Sequence, residues 1–339
     1  MEISNNFSEY YASCNQCPRK CGVNRLQGQR GLCGESSDLR LAFAGLHFGE
    51  EPLITVHGGS GTIFLTGCTL RCAFCQNYQI SQNGMGKEVS KENFIKICRD
   101  LQNAGAENIN LVTPSHHIPL LADFIRAAKD DGINLPFCWN SSAYENVEML
   151  ELLKGLVTIW LPDLKTLNAG LSKKLFAAEN YPQAAEKAIS WMIANNPLKI
   201  EEKKGIDRES GKACSKEKML QGVIIRHLYL PGRFEETADV LSWLKEHADG
   251  RAIISLMNQY TPVPFDEEKK LAEKRRESLS SIENRLVNKE EDGDIQDLIE
   301  AYDFDYLFYQ ELSDDSSWLP DFRRAQPFSN KLAKPLWHF

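Results

Sequence analysis

The sequence predicts an α/β fold built on parallel strands. Three observations lead there: short β-rich runs recur from Thr62 onward, helix-period segments separate them, and 339 residues suffice for one such core with appendages. Strands alternating with helices pair in parallel through right-handed crossovers. A barrel and an open doubly wound sheet share this pattern, and periodicity does not separate them.

The runs are Thr62–Thr66, Asn108–Val112, Pro136–Asn140, Thr158–Pro162, Gly222–Leu228 and Ala252–Met257, each short, apolar and bounded by turn-forming or polar residues. After the first, Phe94, Ile97, Cys98 and Leu101 recur at i, i+3, i+4 and i+7, with Ser90 as N-cap and Gly105 as stop. A second helix follows from Leu121, Phe124, Ile125 and Ala128 and ends near Gly132. Further helices are expected at Asn146–Leu153, Gln183–Ala194 and Glu235–His247. Three segments fall outside this core. Residues 1–45 are cysteine-rich, Lys199–Lys218 is a charged surface insertion before the fifth strand, and a C-terminal extension runs from 266 to 339. The core itself is 46–265, and the extension is placed to cover the open side of a barrel.

The chain has 39 basic and 47 acidic residues, a net charge of −8, which disfavours broad nucleic-acid binding. The N-terminus has no basic stretch followed by an apolar run, and no segment is apolar for long enough to span a bilayer. The expectation is a cytoplasmic protein without membrane contact. Ten cysteines in such a chain point to metal rather than disulfides. Cys98 and Cys138 read as core fillers, and Cys214 has no evident partner.

Cys68, Cys72 and Cys75 are spaced C-x3-C-x2-C in GCTLRCAFCQNYQIS. Thiolates ligate iron–sulfur clusters, and a four-iron cubane normally takes four of them. Three packed this tightly hold three irons and leave the fourth open, the mark of a reactive site. The plainer alternative is three buried or zinc-binding cysteines with a fourth ligand elsewhere. A separate group reads Cys14-x2-Cys17-x3-Cys21-x11-Cys33, with Pro18, Gly22, Gly31 and Gly34 among the ligands. It suits a tetrahedral zinc site or a second iron–sulfur cluster, and spacing does not choose between them.

The triplet, with Phe74 before its third cysteine, resembles the signature of the radical S-adenosylmethionine (SAM) superfamily. HGGSGTIFLTGC, NINLVTP, LPDLK, IRHLYLPG and ISLMNQY, together with CNQCPRKCGVNRLQGQRGLCG, resemble the group related to pyruvate formate-lyase activating enzyme. The resemblance implies a partial (β/α)6 barrel. A [4Fe–4S] cluster on Cys68, Cys72 and Cys75 would bind the amino and carboxylate groups of SAM. Reductive cleavage would then give a 5′-deoxyadenosyl radical that abstracts a substrate hydrogen. In β/α barrels the chemistry gathers where the strands end, and the cysteine loop begins at Gly67, directly after the first strand.

By the same resemblance the loop after the second strand contacts SAM. Where many relatives have Gly-Gly-Glu, this chain has Thr113, Pro114, Ser115 and His116, so Thr113 and Ser115 are the candidate acceptors. His116 and His117 read equally well as surface loop residues. Asn140 and Ser142 suit the SAM ribose or carboxylate, or else serve their own turn. Asp163 and Lys165 share a direction if the strand continues, and the matching pair in activating enzymes lies near SAM and a cation. A surface ion pair is the alternative. Arg226 is implied to face the site, where its guanidinium can hold a carboxylate. Asn258, Gln259 and Tyr260 end the sixth strand, with Gln259 or Tyr260 where activating enzymes have a histidine.

The expected function is a radical SAM oxidoreductase that forms a glycyl radical on a partner enzyme, with flavodoxin or ferredoxin as electron donor. The alternatives are a radical SAM enzyme acting on another peptide, RNA or small molecule, and a non-catalytic iron–sulfur electron carrier.

Overall fold

A computed structural model describes residues 7–208, 210–265, 269–313, 318–329 and 331–339. Residue 266, the expected start of the extension, and residues 1–6 of the N-terminus lie outside the described residues. The strands are β1 (Arg40–His47), β2 (Ser60–Leu65), β3 (Lys87–Glu88), β4 (Ile109–Val112), β5 (Phe137–Ser141), β6 (Ile159–Pro162), β7 (Lys199–Ile206), β8 (Ala213–Leu228), β9 (Ile253–Met257), β10 (Leu307–Gln310) and β11 (Ala333–His338).

All six expected core strands form, as β2, β4, β5, β6, β8 and β9, and they pair in parallel in that order. Strand order that follows chain order has no switch point, so the crossovers keep one hand and the helices stay on one face. This separates the two architectures that periodicity left open, because a doubly wound sheet reverses its order. β10 and β11 end the path without pairing to each other, which makes the barrel partial.

The extension supplies both ends. β10 adds in parallel to β9, and β11 adds antiparallel to β1. β1 itself pairs antiparallel with β2 and crosses the expected boundary at residue 45. Phe322 and Phe328 then pack on Phe64 and Phe43 in an aromatic layer over the β1–β2 end.

Alternation along the strands divides the apolar residues between two cores. Trp139, Trp160, Ile225 and Ile254 face the helices, including the one at Lys91–Asn103, which Ser90 caps through the Asn93 N–H. Their neighbours Cys138, Ile159, Leu161, Ile224 and Ile253 face inward onto Leu53 and Ile54 of a short helix, Pro52–Thr55. That helix plugs the interior below the strand ends and carries Glu50 and Glu51 in immediately before it. Cys98 and Cys138 are both fully buried, as core fillers should be.

The charged insertion is a hairpin of β7 and the first half of β8 rather than an irregular excursion. Ile200 and Met219, register partners, turn toward the inner core, and the buried Glu107 clamps the hairpin through Lys203 (2.6 Å) and Lys218 (3.1 Å). The stretch expected as one helix from Asn146 splits into an α turn, Val147–Leu150, and a 3-10 turn, Glu151–Leu153. No helix among the described residues is long and apolar enough to cross a membrane.

Candidate active site

The cysteine loop leaves β2 through Gly67, whose φ of +77° favours glycine. A side chain there would also meet Glu35 Cγ at 2.4 Å and the Cys33 carbonyl oxygen at 2.8 Å. The Leu70 N–H donates to Cys68 Sγ (3.4 Å), and Cys75 Sγ lies 3.3 Å from Ser81 Oγ. Burial pushes the Cys72 and Cys75 thiols up and the neighbouring cysteines add to it, while Lys165 opposes both. Three thiols in mutual electrostatic reach, those of Cys68 and Cys72 buried and that of Cys75 half-buried, beside an ammonium, fit the ligand set of a cluster. Among the described residues no three His, Cys, Asp or Glu side chains close on the position of a single metal ion. Cubane thiolates bond to separate irons and have no such need.

Asp163, Lys165, Asn140 and Arg226 come together at the strand ends above the apolar plug. Lys165 Nζ donates to Asp163 Oδ2 (2.7 Å), and Arg226 Nε to Asp163 Oδ1 (3.1 Å). Arg226 also donates to Glu50 Oε2 (3.0 Å) and to Asn140 Oδ1. Its side chain is 12% exposed and that of Glu50 9%, so this is an interior network and not a surface ion pair. Burial works to raise the Asp163 carboxyl, but Lys165 and Arg226 outweigh it and hold it below the usual range. Glu50 and Glu51 go the other way, pushed up by burial that Arg226 only partly offsets. Tyr181, fully buried, donates to the Asp163 carbonyl (2.8 Å) and accepts the Lys165 N–H (2.9 Å). The Arg226 guanidinium is therefore already engaged by three side chains.

The loop after β4 divides its residues. Thr113 sits at φ +60°, rare for a β-branched residue, with its N–H donating to the Asn140 carbonyl (2.8 Å). Ser115 turns inward and donates to Glu145 (2.5 Å), which also accepts from Trp139 Nε1 (3.3 Å). Burial raises the Glu145 carboxyl. Ser142 is half-buried on the loop after β5. His116 and His117 are not surface residues: they are 2% and 1% exposed. His117 Nδ1 lies 3.1 Å from the Tyr11 hydroxyl, and Arg25 Nη1 donates to the His116 carbonyl (2.6 Å). This loop therefore docks the N-terminal segment instead of turning its histidines toward the cysteine triplet.

After β9, Asn258 and Gln259 also turn away from the triplet. Asn258 donates to the Tyr309 hydroxyl (2.9 Å), Gln259 to the Glu311 carbonyl (3.2 Å), and Tyr260 to Asn284 (2.6 Å). The Tyr260 ring meets Phe74 edge-on at 6.0 Å, so it braces the cysteine loop.

Cys14, Cys17, Cys21 and Cys33 line one small cavity of about 10 Å³, with Arg25 and His116. Burial raises the Cys17 thiol to about 12, and the other three cysteines add to it. The segment grips the cysteine loop: Arg19 Nε donates to the Thr69 carbonyl (2.9 Å), and Thr66 Oγ1 to Glu35 (2.8 Å). Glu50, Glu51, Glu145 and Tyr181 escaped the sequence reading because no local spacing links them to the positions they meet. The only trace was a paired Glu before Pro52 in an otherwise apolar stretch.

Residues 62–196 match the family model of the Radical SAM superfamily. The uncharacterized protein MJ0674 of Methanocaldococcus jannaschii is 28% identical over 319 residues, covering 91% of this chain and 79% of that protein. Streptococcus suis SuiB bound to precursor peptide SuiA aligns with a TM-score of 0.47 at 12% identity, over 72% of this chain and 46% of that one. The chain thus spans just under half the length of SuiB. A domain of pyruvate-formate lyase-activating enzyme from Bacteroides vulgatus gives a TM-score of 0.36 at 10% identity, over 57% and 92%. Cys68, Cys72 and Cys75 lie inside the stretch that matches the radical SAM superfamily, on the loop that leaves the first parallel strand.

Proposed function

We propose that this protein is a radical SAM enzyme that removes a glycine α-hydrogen from a partner protein. One observation carries the catalytic reading: the Cys72 thiol lies within electrostatic reach of Lys165 and Asp163, at the mouth where the parallel strands end. Cluster and SAM together supply reductive cleavage of the sulfonium to a carbon radical that takes the substrate hydrogen. Cys68, Cys72 and Cys75 would hold the cluster and leave one iron for the methionine end of SAM. Lys165 and Asp163 would position that end, with Asp163 fixed from behind by Arg226. Asn140 at the end of β5, with Ser142, Thr113 and Ser115 on the two loops after β5 and β4, would flank the cofactor.

Glycine suits this chemistry because its Cα spin spreads over both neighbouring amides. The choice of a glycyl-radical partner rests on the sequence blocks shared with activating enzymes, as does the choice of ferredoxin or flavodoxin as cytoplasmic electron donor. The four N-terminal cysteines would bind a second metal centre.

Anaerobic reconstitution with iron and sulfide, followed by SAM and dithionite, should release 5′-deoxyadenosine. No release from protein with an intact cluster would overturn the catalytic reading. A glycyl doublet in the EPR spectrum of an added partner supports the glycine assignment. Deoxyadenosine release without that doublet would move the assignment to another hydrogen donor.

A further inference from the structure

We propose that the outer rim of the cysteine loop is the docking surface for a small acidic electron-carrier protein, with Arg19, Arg71 and Arg275 at its centre and Lys20, Lys174 and Lys274 beside them. The proposal rests on the reading of Cys68, Cys72 and Cys75 as cluster ligands. It adds where the electron enters and which charge recognises its carrier.

Three guanidiniums from separate parts of the chain meet on this one loop. Arg19 Nε donates to the Thr69 carbonyl (2.9 Å) and its Nη2 to the Phe176 carbonyl (2.7 Å). Arg275 Nη1 donates to the Ala73 carbonyl (3.0 Å). Arg71, within the loop, donates to the Leu32 and Gln82 carbonyls (3.3 and 3.2 Å). Gln82 joins the last two, accepting from Arg275 Nη2 (3.2 Å) and donating to the Cys72 carbonyl (2.9 Å). The helix Lys269–Leu279, which carries Arg275, packs on the helix Ala169–Phe176, whose Leu175 carbonyl accepts the Ala73 N–H (2.9 Å).

Carbonyl partners leave the positive charge uncancelled. The side-chain hydrogen bonds of Arg19 and Arg71 all go to backbone carbonyls, and among the described residues no carboxylate forms an ion pair with either. Arg40, Arg233 and Arg285, by contrast, pair with Glu35, Glu236 and Glu291. The helix Lys269–Leu279 adds five basic residues against two acidic ones. Lys20, Lys174 and Lys274 are exposed. In a chain of net charge −8 this is a local reversal of sign.

The loop also reaches the surface here, since Cys75 is half-buried and Gln76 exposed. One electron would leave the reduced carrier and enter the cluster, so the carrier is oxidised by one electron and must then depart. Charge attraction suits such an encounter: it speeds approach without a large apolar interface to hold the partners together. Beyond the patch the acidic chain repels an extended polyanion, which favours a compact partner over nucleic acid.

The test uses the reconstituted protein under anaerobic conditions, with a strongly acidic flavodoxin and a strongly acidic ferredoxin as probes. At least one should bind saturably, at least about tenfold more weakly at about 300 mM salt than at about 50 mM. Lys20→Glu, Lys174→Glu and Lys274→Glu together should weaken low-salt binding at least about tenfold. Lys204→Glu, on the β7–β8 hairpin at the other end of the strands, should leave it unchanged. Carbodiimide cross-linking of the unmutated complex should join carrier carboxylates to Lys20, Lys174 or Lys274. Absence of binding by both probes, full binding by the triple variant, or cross-links confined to other lysines would overturn the proposal. A single-stranded oligonucleotide that binds the patch and that neither carrier displaces would assign it to nucleic acid instead. Binding is read without turnover, so a protein that binds the carrier yet releases no 5′-deoxyadenosine with dithionite and SAM would lose the catalytic reading and keep the docking surface.

Discussion

The Cys68 N–H donates to the Cys33 carbonyl at 3.2 Å, so the last cysteine of the N-terminal group is bonded to the first cysteine of the C-x3-C-x2-C triplet. Two sites that look independent along the chain share a backbone contact. The contact is close because Gly67 lets the loop turn against Cys33 and Glu35 without a side chain between them.

Gly67→Ala should therefore uncouple them. The methyl group meets backbone at 2.8 Å, and φ is +77°. A loss of about 2–3 kcal/mol is expected in urea unfolding, together with lower iron retention after reconstitution. Unchanged stability and full iron content would show that the contact does not constrain the loop.

Arg226 tests the interior network. Arg226→Met leaves buried Glu50 without its cation and Asp163 with Lys165 alone, and loss of one partner of a buried pair costs about 3–5 kcal/mol. Glu50→Gln alone should cost less, because burial already raises that carboxyl toward its neutral form. A double-mutant cycle by urea denaturation should return a coupling energy of at least about 1 kcal/mol. Simple additivity would refute a shared network.

Cys72 and Lys165 should separate cluster binding from chemistry. Cys72→Ala is expected to lose iron and SAM cleavage together. Lys165→Met should keep its iron but slow 5′-deoxyadenosine formation by about a hundredfold or more. If Lys165→Met matches the parent rate, Lys165 has no part in positioning SAM.

His227 predicts the acid limit of stability. Its Nδ1 bonds the Leu164 carbonyl (2.7 Å) and its Nε2 the Thr237 hydroxyl (2.9 Å), and burial lowers its pKa from 6.5 to about 4. The unfolded chain takes up a proton below about pH 6.5, whereas the folded chain resists until about pH 4. Stability is thus lost as pH falls through that window, by on the order of 3 kcal/mol. Asp163 acts lower, since a depressed carboxyl contributes above its unfolded pKa and loses that contribution as pH falls further. Urea midpoints at pH 7, 6 and 5 should show a shallower decline for His227→Gln than for the parent. Parallel declines would exclude His227 as a source.

The strands were legible because each is a short apolar run between turn residues, and the helix at Lys91–Asn103 because its apolar face repeats at helical spacing. The triplet was legible for a similar reason: ligands on one tight loop are close in sequence. β10 and β11 were harder, since their runs gain strand character only by pairing with β9 and β1. The loop Thr113–His117 marks the limit. Its departure from Gly-Gly-Glu was visible, but the burial of both histidines depends on Tyr11 and Arg25, which arrive from the distant N-terminal segment.

The sequence by itself determined the strand set, the cysteine triplet at the end of the first strand, and the existence of a second cysteine group. These follow from periodicity and spacing, which are local. Only the tertiary structure decided that Glu50 shares Arg226 with Asp163, that Glu145 takes Ser115, and that His116 faces the N-terminal cysteines. Each of those contacts joins separate elements across a buried interior, where low dielectric and lost hydration make the choice of partner decisive.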